Sequence, residues 1–289
     1  MRPRPERCSP ASRTRRAATA GTLLAEFAVA VLAVLLVLPV AIAAQSSPTD
    51  GKPENAGDGS DQTPVSAVLE LFTSQGCSSC PPADALFKSY VDRKDVVALS
   101  LPVDYWDYLG WKDTLASSKN SERQRAYAKA RGDGAVYTPQ VVVNGSGHAI
   151  GSDAAAIERQ IARTTMEFNH RRVAMRFWRA SNVLIVEAAA ANPADPDRPN
   201  GARGNEATLW LAAVQREAEV TIPKGENHGK TLKYYNVVEE MTPIGLWNGE
   251  AMRLQLPSQT FMKPGTYRYA VVMQQGTTGP IIGAAWMGW

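Results

Sequence analysis

Residues 65–91 read VSAVLELFTSQGCSSCPPADALFKSYV, and the order of signals in this stretch decides the fold expected of the whole chain. Val65 to Thr73 is β-prone and apolar at most positions, the pattern of a strand covered on both faces. Turn residues follow, then Cys77 and Cys80, and from Asp84 to Val91 the chain continues as a helix. Pro81-Pro82 marks the start of that helix, because the first-turn N–H groups that proline lacks would have no internal partner anyway. The two cysteines therefore fall at a strand-to-helix junction. There the helix dipole and unpaired N–H groups favour a thiolate on the first of them. This makes Cys77 the attacking sulfur and Cys80, one turn deeper, the thiol that resolves a mixed disulfide. Ser78 and Ser79 are uncharged, so any lowering of the thiol pKa comes from the helix end and hydroxyl hydrogen bonds. A disulfide serving only as a staple would contribute little, since closing so short a loop removes little entropy from the unfolded chain.

Downstream, Val96 to Val103 reads as a second buried strand. Ser121 to Arg131 reads as a polar helix that Ser121 and Gln124 begin as a capping box and Gly132 and Gly134 end. Thr138-Pro139 then precedes the strand Gln140 to Val143, the Asn144-Gly145 hairpin signal, a short strand at Ala149-Ile150 and a helix from Ser152 to about Phe168. The order β-α-β-α-β-β-α, with helices between parallel strands and an antiparallel hairpin at one edge, describes a thioredoxin-like sheet. From Val173 the pattern changes to alternating runs at 173–178, 183–189, 208–214, 233–238 and 267–273, with residues 192–205 as one long loop. Short strands between Pro and Gly turns imply an antiparallel, sandwich-like β-rich domain. The expected fold is thus α/β, a thioredoxin-like domain over 64–170 followed by the β-rich domain over 171–289.

Residues 1–44 read as a secretory signal, with a basic segment from Arg2 to Arg16 and an apolar run from Phe27 to Ala43 ending in the Ala41-Ile42-Ala43 cleavage pattern. An uncleaved anchor is the alternative, and would be the chain's sole connection to a membrane. Residues 45–63 are polar and rich in Pro, Gly, Ser and Asp, the composition of a flexible linker. The whole chain has 31 basic and 28 acidic residues; removing the leader takes away six Arg and two Glu and leaves 25 and 26, a net charge of −1. A near-neutral mature chain has no electrostatic footprint for nucleic acid. Cys8 leaves with the leader, so the two remaining cysteines are secreted or periplasmic, where disulfides persist.

Other residues are candidates for the same chemistry. Thr138-Pro139 stands where thioredoxin-like folds place a cis-proline beside the cysteines, and Pro139 would shape a peptide groove with Thr138. Glu70 lies in mid-strand, where a buried acid is either paired or functional. It would relay the Cys80 proton, the alternative being a strand edge facing solvent. The segment Asp104-Tyr-Trp-Asp-Tyr-Leu-Gly-Trp-Lys-Asp113 packs four aromatics just beyond a strand, where α/β proteins place binding surfaces. Tyr105, Trp106 and Trp111 are its candidate substrate contacts, unless the segment folds only on itself. No cofactor is expected. A copper or zinc carrier would instead use Cys77, Cys80 and His148. Gly225-Glu-Asn-His-Gly229 reads simply as a loop before a strand.

These motifs together resemble an uncharacterised family of bacterial secreted thioredoxin-like proteins, a domain of unknown function. The similar stretches are Glu70 to Asp84, Val103 to Asp113, Arg123 to Tyr127, Tyr137 to Gly145, Gly225-Glu-Asn and Asn236-Val-Val238. The resemblance implies a thioredoxin-like fold with a β-rich second domain and implies no activity. Many members have a histidine before Val-Asp-Tyr-Trp, where this chain has Pro102, which weakens a metal role. The functional expectation is an exported thiol-disulfide oxidoreductase acting on protein thiols or disulfides; the alternative is a metal carrier or partner-binding module without turnover.

Overall fold

The computed structural model describes residues 63–167, 169–193, 206–264 and 267–288. The expected leader, nearly all of the polar linker and most of the expected loop at 192–205 lie outside the described residues.

β1 (Ala67–Thr73) is buried at all seven positions, because helices or strands cover it on every side. α1 (Pro81–Val91) starts at the double proline with Cys80 as its N-cap residue. β2 (Val96–Pro102) then pairs parallel to β1, from Ala67 opposite Val96 to Thr73 opposite Pro102. After a 3₁₀ turn at Asp107–Leu109, α2 (Ser118–Arg131) begins three residues before the expected Ser121. Its cap is Ser117, whose side chain accepts from the Lys119 amide at 3.3 Å. Ser121 and Gln124 make no capping box; both side chains are buried and turned to Asp104 and to Gln140. The helix ends where expected, at Gly132 in the left-handed region (φ +76°), which a side chain would oppose. β3 (Gln140–Val143) lies antiparallel to β1 and returns through Asn144-Gly145 to β4 (Gly147–Ile150), which α3 (Ala154–Glu167) follows.

Among the described residues, the chain beyond residue 170 adds seven strands. β5 (Met175–Ala180), β6 (Val183–Ala188) and β9 (Met252–Pro257) form a three-stranded antiparallel sheet in the order β5-β6-β9. β7 (Ala207–Thr221), β8 (Thr231–Trp247), β10 (Tyr267–Gln275) and β11 (Ile281–Trp286) do not form a sheet apart. They extend the first one into eight strands, in the order β11-β10-β7-β8-β2-β1-β3-β4. The molecule is thus mixed α/β, with one large mixed sheet and a second, antiparallel one. The join between β8 and β2 is narrow: one parallel pair, Ser100 opposite Val237, beside Asn236, whose Nδ2 donates to the Ala98 carbonyl at 3.0 Å.

Alternation along β1 sorts its side chains into two cores. Ala67, Leu69 and Leu71 pack with Ala83, Phe87 and Tyr90 of α1 and Ile157 and Ile161 of α3. Val68 and Phe72 face the other way, against Tyr127 of α2 and against Ala212, Val214, Ala270 and Val272 from the later strands. Each large side chain buried in this shared core contributes roughly 1.5–3 kcal/mol. A third core lies between the three-stranded sheet and the opposite face of β7, β10 and β11, built from Phe177, Leu184 and Val186 against Leu209, Leu211, Val271 and Met273.

Candidate functional site

Cys77 and Cys80 are joined as a disulfide, with their Cα atoms 5.4 Å apart. The turn that presents them is closed by backbone bonds from the Cys77 amide to the Ser74 carbonyl and from the Cys80 amide to the Cys77 carbonyl, both 3.2 Å. α1 hangs directly from the second cysteine: the Ala83 and Asp84 amides donate to the Cys80 carbonyl at 2.9 and 3.0 Å. Gly76 permits the turn to lie against the aromatic segment, since a Cβ there would sit 2.9 Å from the Trp106 Cβ. Cys77 is only 2% exposed and Cys80 fully buried, whereas Ser78 and Ser79 face solvent.

The aromatic segment and the Thr138-Pro139 turn meet at this loop. The Thr138-Pro139 bond is cis, and the Thr138 carbonyl oxygen lies 3.7 Å from Cys77 Sγ. Trp106 Nε1 donates to Thr138 Oγ1 at 2.8 Å, and Trp111 Nε1 donates to Gln75 Oε1 at 2.8 Å. Tyr105 turns inward instead and donates its hydroxyl to Gln124 Oε1 at 3.1 Å. Tyr108 stacks on Trp106, ring centroids 6.4 Å apart, and is 78% exposed. Asp113 closes the segment by accepting the Gln75 and Leu115 amides at 2.7 and 2.9 Å. The structure therefore brings Cys77, Cys80, Pro139, Thr138, Trp106 and Trp111 to one place.

Two other expected residues are not brought there. Glu70 is 1% exposed, but by strand alternation it shares the face of Val68 and Phe72, opposite α1 and the cysteines. It accepts Arg123 Nε at 2.6 Å and the Tyr127 hydroxyl; Gln274 of β10 bonds both Arg123 and Tyr127, at 3.0 and 2.9 Å. Glu70 is the paired acid of a network that ties α2 and β10 to β1. His148 is likewise occupied. Its Nδ1 meets the Tyr137 hydroxyl at 2.9 Å and its Nε2 lies 3.2 Å from Asp133, while burial lowers its pKa. Among the described residues no three His, Cys, Asp or Glu side chains converge as a bound metal ion would need.

Two features of the site were missed in the sequence. The Gly225–Gly229 loop, expected to be a mere connector between β7 and β8, docks on the cysteine turn. Asn227 is fully buried and donates both amide hydrogens, to the Gln75 carbonyl at 2.9 Å and to the Cys77 carbonyl at 2.8 Å. Glu226 accepts the Ser78 amide at 3.2 Å. The second is Asp84, 4% exposed on the first turn of α1, whose carboxyl oxygens have no hydrogen-bond partner among the described residues. Burial pushes its pKa up to about 8; the Thr73 hydroxyl beside it lowers it a little and Asp113 raises it further. The fourth residue after Cys80 was visible as an acid; that it faces inward was not.

A cleft of about 480 Å³ lies elsewhere, between α2 and the β7–β8 strands, with Arg123 and Trp210 among its lining residues. Among the described residues no helix is long and apolar enough to cross a membrane.

A crystal structure of a protein from Agrobacterium tumefaciens is 34% identical and matches 78% of this chain and 95% of its own, with a TM-score of 0.66. HBP35 of Porphyromonas gingivalis is 12% identical over 76% of this chain and 74% of its own, with a TM-score of 0.47. No curated protein matches the chain significantly. Residues 68–274 match the model of a protein family of unknown function, DUF1223, and that span runs from β1 through the cysteine turn, the Asn227 loop and Gln274, so the chain belongs to that family.

Proposed function

We propose that the protein is an exported thiol-disulfide oxidoreductase, with Cys77 as the nucleophile and Cys80 as the resolving thiol. The observation that carries this reading is the position of the bonded cysteine pair at the start of α1, with the Thr138 carbonyl 3.7 Å from Cys77 Sγ. A thiolate formed on Cys77 would lie near the N-terminal end of α1, where the helix field favours it. The finer reading of the fold supports the same conclusion. The strand order β2-β1-β3-β4, with β3 antiparallel to β1 and the cysteines between β1 and α1, supports reading this part as a thioredoxin-like unit. Thr138, Pro139, Trp106 and the exposed Tyr108 would form the floor and wall of a groove for an extended peptide; Tyr105, bonded to Gln124, supports it from below. Substrates are protein thiols or disulfides outside the cytoplasm, met by a mature chain that begins near Gln45.

The test is a pair of variants expressed with the native leader. Cys80→Ser keeps an attacking thiol with no resolver and is expected to accumulate reductant-sensitive mixed disulfides with exported proteins, while Cys77→Ser traps few or none. Equal behaviour of the two variants, with no trapped species, would overturn the proposal in favour of a binding role for the cysteines.

A further inference from the structure

On the α1 face of the sheet, one helical turn beyond Cys80, lies a group of buried polar atoms without a settled hydrogen bond among the described residues. Thr73 ends β1, in register with Ala67, Leu69 and Leu71 on that face. Asp84 lies one turn into α1, its own amide bonded to the Cys80 carbonyl at 3.0 Å. Tyr234 comes from β8 and is 1% exposed. Thr73 Oγ1, both Asp84 carboxyl oxygens and the Tyr234 hydroxyl are all buried and have no hydrogen-bond partner among the described residues. The three are neighbours, because Thr73 and Asp113 act on the Asp84 carboxyl, and Asp84 and Asp113 both raise the Tyr234 pKa after burial itself. Folded chains rarely leave one such group unsatisfied, and here four atoms are left in a single place.

We infer that Asp84, one turn along α1 from Cys80 and beside Thr73, exchanges a proton with the Cys80 thiol when the disulfide opens and closes. This rests on the thiol–disulfide exchange proposed above and moves the proton relay from Glu70 to the acid on the cysteine side of the sheet. The groups facing Asp84 are Thr73 from β1, Asp113 from the segment after β2 and Tyr234 from β8, none of them a cation that would hold the carboxylate ionised. Its proton is therefore exchangeable near neutrality, which a general acid or base requires. In the step itself, the mixed disulfide joins Cys77 to a substrate sulfur and Cys80 is a thiol. The Asp84 carboxylate takes the Cys80 proton, and the Cys80 thiolate attacks Cys77 Sγ. The Cys77–Cys80 bond forms as the bond from Cys77 to the substrate sulfur breaks. Cys80 is oxidised, the substrate sulfur is reduced and leaves as a thiolate, and the proton on Asp84 passes to it or to solvent as it departs.

The experiment mixes the reduced mature protein with oxidised glutathione and follows two phases. The first, mixed-disulfide formation at Cys77, scales with glutathione concentration; the second, release of the remaining glutathione by Cys80, does not. Asp84→Asn, isosteric with the protonated acid, should leave the first phase unchanged and slow the second tenfold or more at pH 7. The wild-type second phase should rise with pH through an inflection near 8 that the variant lacks. Thr73→Val keeps the acid but removes a hydroxyl that favours its ionised form, so the inflection should move to higher pH. That variant decides the matter should Asp84→Asn fail to fold. A second phase with the same rate and pH profile in Asp84→Asn, or an inflection unmoved in Thr73→Val, would overturn the inference. Wild-type protein that forms no mixed disulfide would instead overturn the exchange reading. The inference is then judged by infrared spectroscopy: chemical reduction of the disulfide must shift the protonated-carboxyl band that Asp84→Asn removes, and an unmoved band overturns it.

Discussion

Glu70 and Asp84 are two acids buried to nearly the same degree, 1% and 4% exposed, on opposite sides of β1 and its neighbours. On the α2 side, Glu70 has a guanidinium, a phenol and, through them, the Gln274 amide of β10. On the α1 side, Asp84 has no cation beside it among the described residues, only the Thr73 hydroxyl. Burial alone says little about an acid; its partners decide whether it holds the fold together or stays free to change protonation. Asp84, buried with no cation beside it, has its pKa pushed up to about 8, in the range where a cell works.

Raising the pH should separate the two acids most. The Asp84 carboxyl has an unfolded pKa near 3.9 and a folded pKa raised to about 8, so between those values the folded state binds the proton that the unfolded state has lost. Its contribution is fully present below pH 4 and is lost as pH rises through 8. The full shift corresponds to roughly 6 kcal/mol. Urea unfolding of wild type and Asp84→Asn across pH 5 to 9 should show the variant gaining several kcal/mol relative to wild type as pH rises; parallel curves would place Asp84 in contact with solvent. Next in size is the loss of Glu70's partner. Arg123→Leu leaves a buried carboxylate uncompensated and should destabilise the protein by about 3–5 kcal/mol, measured as a lower denaturation midpoint. A loss below 1 kcal/mol would mean that Glu70 reaches water.

The smallest effect should come from the loop that reaches the cysteines from the later strands. Asn227→Ala removes two donors and leaves the Gln75 and Cys77 carbonyls unsatisfied, a cost of about 1–3 kcal/mol. Because that contact fixes the turn around a sulfur only 2% exposed, the reduced variant should also be alkylated faster at Cys77 than wild type. Unchanged alkylation would mean that the loop braces the turn without controlling access to it.

Much of the site was legible because it is local. Cys77, Cys80 and the double proline sit within six residues, and strand-then-helix patterning places them without knowledge of anything distant. Trp106 and Trp111 were reachable because a loop after a parallel strand has to lie near that strand's end, and Thr138 because it precedes the proline that opens the next strand. Tyr105 and Tyr108 show the limit of this: composition identified the aromatic segment, while only packing chose which ring turns in to Gln124 and which stays exposed. The start of α2 was misplaced because Ser117 and Ser121 are both acceptable caps, and the choice went to the one that leaves Ser121 free to bond Asp104.

By itself the amino-acid order determined the element sequence as far as α3, the cysteine turn and the change to alternating β patterns after residue 170, since each depends on neighbours a few positions apart. Only the tertiary structure decided that the later strands continue the first sheet, that Asn227 clamps a turn 150 residues away, and that Glu70 and Asp84 fall on opposite faces. Alternating strands present the same pattern whether they pair among themselves or with an existing edge. Which edge they meet is set by the shared core of Phe72, Tyr127, Val214 and Val272, a surface that exists only once the chain has folded.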